Sequence, residues 1–261
     1  MGAALAYAAA GTGFTFLMTT LGSSLVFVFR RKVQAGFQRI CLGFAAGVMI
    51  AASVWSLLIP AIESAEEAGT PGWLPAAGGL ILGIGFLMLL DRLLPHLHLE
   101  AAAPEGPSSS WKRTTLLMLA VTLHNIPEGM AVGLAFSLAA QGEGGFSAAM
   151  ALALGMGIQN FPEGAAISLP LRQEGISSRR AFVYGSLSGL VEPIFGILVV
   201  LIAGSIGPLM PWLLSFAAGA MLYVVVEELI PEAHLGEHSH PGTLGVMAGF
   251  LVMMVLDVAL G

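Results

Sequence analysis

The chain has 261 residues, of which 56% are hydrophobic and only 10% are charged, and its net charge is −6. A soluble globular domain carries about 25% charged residues, so this composition excludes an ordinary soluble domain and indicates a chain that lies mostly in lipid. We therefore expect the lipid bilayer, and no nucleic acid, as a partner. The single cysteine, Cys41, excludes an intrachain disulfide.

Apolar stretches recur along the whole chain, and a membrane-spanning helix needs about 20 such residues. We predict an all-α integral membrane protein with eight transmembrane helices in a single domain that covers residues 1–261. Residues 96–112 contain Pro, Ser and Glu, and are predicted to form a flexible cytoplasmic loop. The predicted helices cover residues 5–29, 40–62, 74–95, 113–138, 146–170, 180–204, 209–231 and 242–260.

The basic residues determine the predicted orientation. All of them lie in or beside the connections between helices 1 and 2, 3 and 4, and 5 and 6, whereas the opposite connections carry acidic residues. The positive-inside rule places the basic connections in the cytoplasm, so both termini are expected outside a plasma (inner) membrane. The ten basic residues are Arg30, Arg31, Lys32, Arg39, Arg92, Lys112, Arg113, Arg172, Arg179 and Arg180.

Two halves of the chain resemble each other. The sequence FAAGVM at 44–49 is followed by Pro60, and FAAGAM at 216–221 is followed by Pro231. A weaker match relates predicted helices 3 and 8. Because the matched helices run in opposite directions, the pattern indicates an inverted repeat of helices 1–3 and 6–8 around helices 4 and 5, an architecture typical of transporters. Chance similarity among Gly/Ala-rich helices is the alternative.

One polar motif occurs twice inside apolar stretches, as HNIPEG at 124–129 and QNFPEG at 159–164. Each copy places an imidazole or amide, an Asn and a Glu on one helical face. The proline before each Glu also frees the carbonyl four residues earlier, at Leu123 and Ile158. Polar groups of this kind are costly in a membrane helix and usually indicate an ion or substrate pathway.

Both motifs are expected near the bilayer midplane, because a rise of about 1.5 Å per residue places His124 about 16 Å and Gln159 about 20 Å into their helices. Glu192 of helix 6 lies at a similar depth. Three carboxylates would not stay ionised together there without protons or a cation, and one or two divalent cations would meet this need. Imidazole among oxygen ligands suits zinc, iron and manganese. The residues expected to converge are His124, Asn125, Glu128, Gln159, Asn160, Glu163 and Glu192.

Each polar feature also has a structural interpretation. The paired motifs alone could form a hydrogen-bonded helix contact with protonated Glu side chains. The acids of helix 7 could be exit-side ligands or line a solvated vestibule, and the acid at the outer end of helix 2 could collect cations or be an ordinary interfacial residue. The loop histidines could receive metal or belong to plain polar loops. These residues are Glu227, Glu228, Glu63, His96, His98, His234, His238 and His240.

The paired HNxPEG and QNxPEG motifs, together with the eight predicted helices, resemble the ZIP (Zrt/Irt-like) metal-ion transporters in a compact prokaryotic form. The resemblance implies movement of zinc, iron, manganese or cadmium toward the cytoplasm through a binuclear site. It implies a primary metal site of Met49, His124, Glu128, Gln159 and Glu163. It adds Asn125, Asn160 and Glu192 to a second site, and Glu227 and Glu228 to the inner path. Some members have Asp where this chain has Asn160, and the neutral amide is expected to weaken the second site.

The sequence therefore predicts a secondary transporter of divalent transition metals, zinc first, that works by alternating access without a catalytic cofactor. Neither Lys32 nor Lys112 follows a glycine, so no phosphate-binding Walker A loop is present. The alternatives are an intramembrane metal-dependent hydrolase, for which no HExxH pair exists, and a passive cation channel. Glycine-rich helix faces also permit a homodimer.

Overall fold

The computed structural model describes residues 2–29, 35–95, 107, 113–142, 145–205, 207–234 and 240–260. Within these ranges every regular element is helical. We number the long helical segments α1 to α8 in chain order. They are α1 Gly2–Ser23 with a 3-10 turn Ser24–Phe27; α2 Ala35–Ala52, Ser53–Leu58 and Ile59–Glu67; α3 Trp73–Leu93; α4 Arg113–Gln141; α5 Phe146–Gln173; α6 Ser178–Ser188 and Val191–Ser205; α7 Met210–Val224, Val225–Leu229 and Ile230–Ala233; and α8 His240–Leu260.

Two of these segments contain a stretch of π-helix, Ser53–Leu58 in α2 and Val225–Leu229 in α7. Each stretch is followed at once by a helical piece with proline at its second position, Pro60 or Pro231. A proline cannot donate to the carbonyl four residues earlier, so the wider turn lies where the regular hydrogen-bond ladder is already interrupted.

The α6 segment is interrupted, whereas the sequence predicted one continuous helix over 180–204. Its first piece ends at Ser188, and the second begins at Val191. Pro193 has no backbone N–H, which matters least in the first turn of a helix. A helix that begins at Val191 therefore accommodates Pro193. It also places Glu192 in the first turn, where the helix dipole favours negative charge.

Among the described residues, six segments are long and apolar enough to cross a membrane by length and composition: α1, α2, α3, α6, α7 and α8. The other two, α4 and α5, carry the HNIPEG and QNFPEG motifs and are the longest uninterrupted helices, with 29 and 28 residues. The chain is therefore a multi-pass membrane protein in which the polar motifs lie on the two least apolar long helices.

Glycines allow two pairs of helices to approach closely. A side chain at Gly47 in α2 would overlap the backbone of Val246 in α8. A side chain at Gly83 in α3 would likewise overlap the backbone of Phe216 in α7, and Gly219 of α7 lies against the backbone of Leu80. Close backbone approach of this kind is how helices associate in membranes.

The helices that carry the motifs are packed in the same way against α1 and α6. Gly164 in α5 lies against the backbone of Thr19 in α1, and Gly129 in α4 lies against the backbone of Glu192 in α6. The final glycine of each motif is therefore needed for packing, since any larger residue would push the neighbouring helix away.

Replacing Gly83 by alanine should destabilise the protein by about 1–3 kcal/mol, because the added methyl group would meet the backbone of Phe216. Gly85 on the same helix provides the matched control, since a methyl group there would meet nothing within 4 Å. Thermal unfolding in detergent should show a lower Tm for Gly83→Ala and an unchanged or slightly higher Tm for Gly85→Ala. Equal Tm values for the two variants would contradict the close α3–α7 contact.

Candidate metal-binding site

The predicted ligands lie on five helices and are mostly buried. His124, Glu128, Gln159, Glu192 and Glu228 are each less than one-tenth exposed. Asn125 and Asn160 are fully buried, Met49 is buried in the main apolar core, and Glu163 is half-buried. Burying this many polar groups is costly unless they bind one another or a ligand.

A chain of hydrogen bonds joins the two motifs to α6. The side-chain amide of Asn160 donates to Glu192 Oε2 at 2.9 Å. Gln159 Nε2 donates to Asn160 Oδ1 at 2.5 Å, and the Gln159 side chain is also hydrogen-bonded to Glu128. The motif on α4, the motif on α5 and the carboxylate of α6 therefore form one polar group.

His124 of α4 contacts Glu228 of α7 through Nε2 and Oε1. The sequence placed Glu228 nearer the cytoplasmic end, as an exit-side ligand or as part of a vestibule. In the structure it lies directly against the first residue of the α4 motif. Glu228 is part of the π-helical stretch of α7, and a π-turn changes the direction in which the following side chains point.

Four carboxylates interact electrostatically across this polar group. Glu128 is repelled by Glu163 and Glu192, and Glu163 is repelled by Glu192 and Glu228. Four neighbouring carboxylates in a low-dielectric interior cannot all stay ionised unless their negative charge is compensated. A bound cation or bound protons would supply that compensation.

Several buried polar atoms of this group have no hydrogen-bond partner within the described residues: both side-chain amide atoms of Asn125, Glu128 Oε2 and Gln159 Oε1. An unpaired buried polar atom costs about 1–3 kcal/mol, so such atoms usually have a function. Three of them are oxygens with lone pairs suited to a metal ion. No group of three or more His, Cys, Asp or Glu side chains in the described ranges is arranged to hold a metal by itself. An ion here would therefore also need the amide oxygens.

Helix α1 also contributes to this group, which was not predicted from the sequence. Thr19 Oγ1 lies 3.3 Å from Glu192 Oε1, and Asn160 Nδ2 lies 3.5 Å from the backbone oxygen of Thr15. The signal was present as a polar stripe at helical spacing in an otherwise apolar helix. The stripe consists of Thr12, Thr15, Thr19 and Ser23, all fully buried.

Replacing Thr19 by valine should weaken metal binding, because valine keeps the shape and removes the hydroxyl that faces Glu192. Loss of a hydrogen bond to a charged group corresponds to a rise in the KM for zinc uptake of roughly tenfold. Thr19→Ser keeps the hydroxyl and should have a KM close to that of the wild type, whereas a purely steric role of Thr19 would leave Thr19→Val unimpaired and Thr19→Ser impaired. The measurement is uptake against zinc concentration, with KM and maximal rate fitted separately.

The remaining candidates lie apart from this group or outside the described residues. Glu227 is exposed, and His240 is the exposed first residue of α8. His234 is half-buried, with Nδ1 3.0 Å from the backbone oxygen of Ile230 and Nε2 3.0 Å from Thr243 Oγ1. The predictions for His96, His98 and His238 fall outside the described residues.

Glu63 is exposed and lines a cavity of about 290 Å³ together with Ser56 and Asp257. Ser56 Oγ donates to Asp257 Oδ1 at 2.6 Å, and Asp257 Oδ2 has no hydrogen-bond partner in the described part of the chain. Two acids from α2 and α8 therefore share this cavity. The sequence predicted only the first of them as a candidate for collecting cations.

Known proteins similar to this chain identify its family. The family model for the ZIP zinc transporters matches residues 104–257, more than half of the chain. The chain belongs to the ZIP family. It is 40% identical to the human zinc transporter ZIP11 over 96% of both chains. It is 39% identical to the zinc transporter ZIPB of Bordetella bronchiseptica, over 98% of this chain and 82% of the relative.

Membership of the ZIP family confirms the resemblance drawn from the two motifs and confirms divalent metal ion transport as the function. A further relative, the zinc transporter GufA of Myxococcus xanthus, is 41% identical over 79% of this chain and 81% of its own length. These relatives are transporters, so the prediction that the chain is not an enzyme is also confirmed.

Proposed function

We propose that this ZIP-family chain is a secondary transporter that carries zinc into the cytoplasm through the polar group formed by α4, α5, α6 and α7, with cadmium, iron and manganese as further candidate substrates. The observation that carries the proposal is the set of unpaired oxygens of Asn125, Glu128 and Gln159 beside a buried imidazole and several carboxylates. Weakly binding amide oxygens suit a site that must also release its ion. The names of the relatives support zinc as the first substrate.

The proposed site holds two ions. Met49, His124, Glu128, Gln159 and Glu163 would bind the first, and Asn125, Asn160 and Glu192 would join the shared Glu128 and Glu163 around the second. The electrostatic coupling of Glu128 with Glu163 supports a bridged pair of cations. The hydrogen bond between Asn160 and Glu192 supports weaker binding of the second ion. The neutral amide of Asn160 is bonded to the Glu192 carboxylate, one of the carboxylates proposed to bind that ion.

All eight segments are proposed to cross the plasma membrane as one transport domain, with both termini outside. The lengths of α4 and α5 support this number, because 29 and 28 residues correspond to about 43 Å and 42 Å, more than the roughly 30 Å hydrocarbon core. The orientation is supported by the positions of Arg39, Arg92, Arg113, Arg172 and Arg179, each within a few residues of a helix end on the proposed cytoplasmic side.

Helix packing supports the proposed inverted repeat. If α2 and α3 correspond to α7 and α8, the close α2–α8 contact at Gly47 should have a counterpart between α7 and α3, where Gly83 and Gly219 lie. The two π-helical stretches, each before a proline, occupy corresponding places in the same two helices. Repeats of this kind predict alternating access, with the group α1, α4, α5 and α6 moving against α2, α3, α7 and α8.

Flux into sealed proteoliposomes with an internal zinc-sensitive dye tests the proposal against its rivals. A transporter predicts slow uptake that saturates with external zinc, whereas a channel predicts fast flux that stays proportional to concentration. A hydrolase predicts metal-dependent product formation without flux. Linear, non-saturating entry, or no entry by folded protein that binds zinc, would overturn the proposed function.

A further inference from the structure

The cavity that Glu63 and Asp257 share is lined by residues of α2, α4 and α8 and by the start of α5. It lies at the ends of these helices that are far from Arg39, Arg113 and Arg172, so in the proposed orientation it is on the outer side. Its volume of about 290 Å³ corresponds to roughly ten water molecules, each of which occupies about 30 Å³ in the liquid. A divalent ion that keeps about six water molecules therefore fits inside.

This cavity is separate from the metal-binding group but lies on the same helices. Ser56, which lines the cavity, follows Met49 by seven residues on α2, or about 10 Å of helical rise. Ala149, which also lines it, precedes Gln159 by ten residues on α5, or about 15 Å. Leu152 comes between these two levels on α5 and is fully buried. An ion in the cavity would therefore have its own ligands and would lie further out than the proposed transport site.

Asp257 is the buried acid of this cavity, with 8% of its surface exposed. Its Oδ1 accepts a hydrogen bond of 2.6 Å from Ser56 Oγ, and its Oδ2 has no hydrogen-bond partner within the described residues. No lysine, arginine or histidine of the described chain lines the cavity. A buried carboxylate is costly unless its charge is compensated and both of its oxygens are bound. The unpaired Oδ2 therefore indicates a cationic ligand inside the cavity.

We propose that this cavity is a loading site, where a hydrated divalent cation binds Asp257 and Glu63 before it reaches the metal-binding group. Glu63 follows Ser56 by seven residues on α2 and is exposed, so its carboxylate meets an ion that arrives from solution first. Asp257 then holds the ion deeper in the cavity. A loading site at this end rests on the proposed inward transport and on the proposed orientation.

The chemistry of the loading site differs from that of the metal-binding group. Its ligands are two carboxylates and water, without an imidazole such as that of His124. Oxygen ligands of this kind bind magnesium, calcium and manganese as well as zinc. We therefore expect the loading site to bind divalent cations with little distinction and with a Kd of roughly 1 mM, as weak oxygen sites outside the cell do. Selection between metals is then made only at the metal-binding group.

Binding is measured without transport, so that its failure is distinguishable from failure of the proposed function. The full chain with His124→Ala and Glu163→Gln, which lacks two proposed ligands of the metal-binding group, is titrated with Mn²⁺ in detergent. Free Mn²⁺ is counted by its electron paramagnetic resonance signal. We expect one bound Mn²⁺ per chain with a Kd of roughly 1 mM, and no binding below about 10 mM would overturn the proposal.

Asp257→Asn in the same background tests the buried ligand, because asparagine keeps Oδ1 as the acceptor for Ser56 and removes the charge. It should raise the Kd for Mn²⁺ at least about tenfold, and Glu63→Gln should raise it about threefold. Glu67→Gln is the matched control, because Glu67 is an exposed carboxylate one turn beyond Glu63 that does not line the cavity. An unchanged Kd in Asp257→Asn, or an equal rise in Glu67→Gln, would contradict the loading site. An unchanged Kd in Glu63→Gln would do so even if Asp257→Asn fails to fold.

Magnesium provides a second readout, in the wild type. External MgCl₂ at about 10 mM should raise the KM for zinc uptake roughly tenfold and leave the maximal rate unchanged, because Mg²⁺ occupies the loading site. KCl at the same ionic strength controls for screening of surface charge and should leave the KM within about twofold. Asp257→Asn should have a raised KM that magnesium no longer changes. A wild-type KM that does not respond to magnesium, or a loss of maximal rate alone in Asp257→Asn, would overturn the proposal.

Discussion

Replacing Glu128 or Glu163 by glutamine is expected to lower zinc uptake by at least about 100-fold, more than the loss of an outer-sphere partner usually costs. Each change removes one negative charge from the proposed position between the two ions and keeps the size of the side chain. Glu128 is buried and hydrogen-bonded to Gln159, but its Oε2 has no partner within the described residues, so that oxygen is available for an ion. Initial rates of zinc entry into proteoliposomes provide the measurement.

Glu67 provides the matched control for these two variants. It is an exposed carboxylate at the end of α2, so Glu67→Gln makes the same chemical change away from the proposed site. Its uptake should stay within about twofold of the wild type, as is usual for surface substitutions. Uptake by Glu128→Gln and Glu163→Gln that also stays within this range would remove both residues from the transport pathway.

Replacing His124 by alanine should change which metals are carried, as well as how fast. The imidazole is the only nitrogen ligand proposed for the site, and nitrogen ligands favour zinc over the harder manganese ion, which prefers oxygen. We expect zinc uptake to fall by at least about 100-fold and manganese uptake by less, on the order of tenfold. Loss of His124 also leaves Glu228 without its contact to that ring.

Manganese serves as the internal control in this experiment, because remaining manganese uptake shows that the variant is folded and inserted. Zinc, cadmium and manganese uptake are measured on the same vesicles. An equal fall for all metals, with unchanged thermal stability, would mean that His124 does not discriminate between ligand types.

The sequence predicted the parts of this molecule that depend on local pattern. Apolar runs of sufficient length indicated membrane helices. The cost of burying His124, Asn125 and Glu128 in such a run indicated a functional site. The same reasoning applied to the α5 motif, where Gln159 and Asn160 are fully buried in the structure.

The features that were missed depend on how separate helices are rotated against each other. The contact between His124 and Glu228 joins α4 and α7, and Glu228 lies in a π-helical stretch that was not predicted from the sequence, although Pro231 follows it. The contact of Thr19 with Glu192 joins α1 and α6, and it depends on the break at Gly189 and Leu190. The periodicity of residues within one helix carries no information on which residues of two different helices come into contact.

Zinc K-edge X-ray absorption of the zinc-loaded protein tests most directly whether the two motifs hold the transported ion. The wild type should show imidazole nitrogen at about 2.0–2.1 Å together with oxygen ligands, and His124→Ala should lose the imidazole signal while Glu163→Gln keeps it. A spectrum in which imidazole persists in His124→Ala would place the zinc on other histidines and contradict the proposed site.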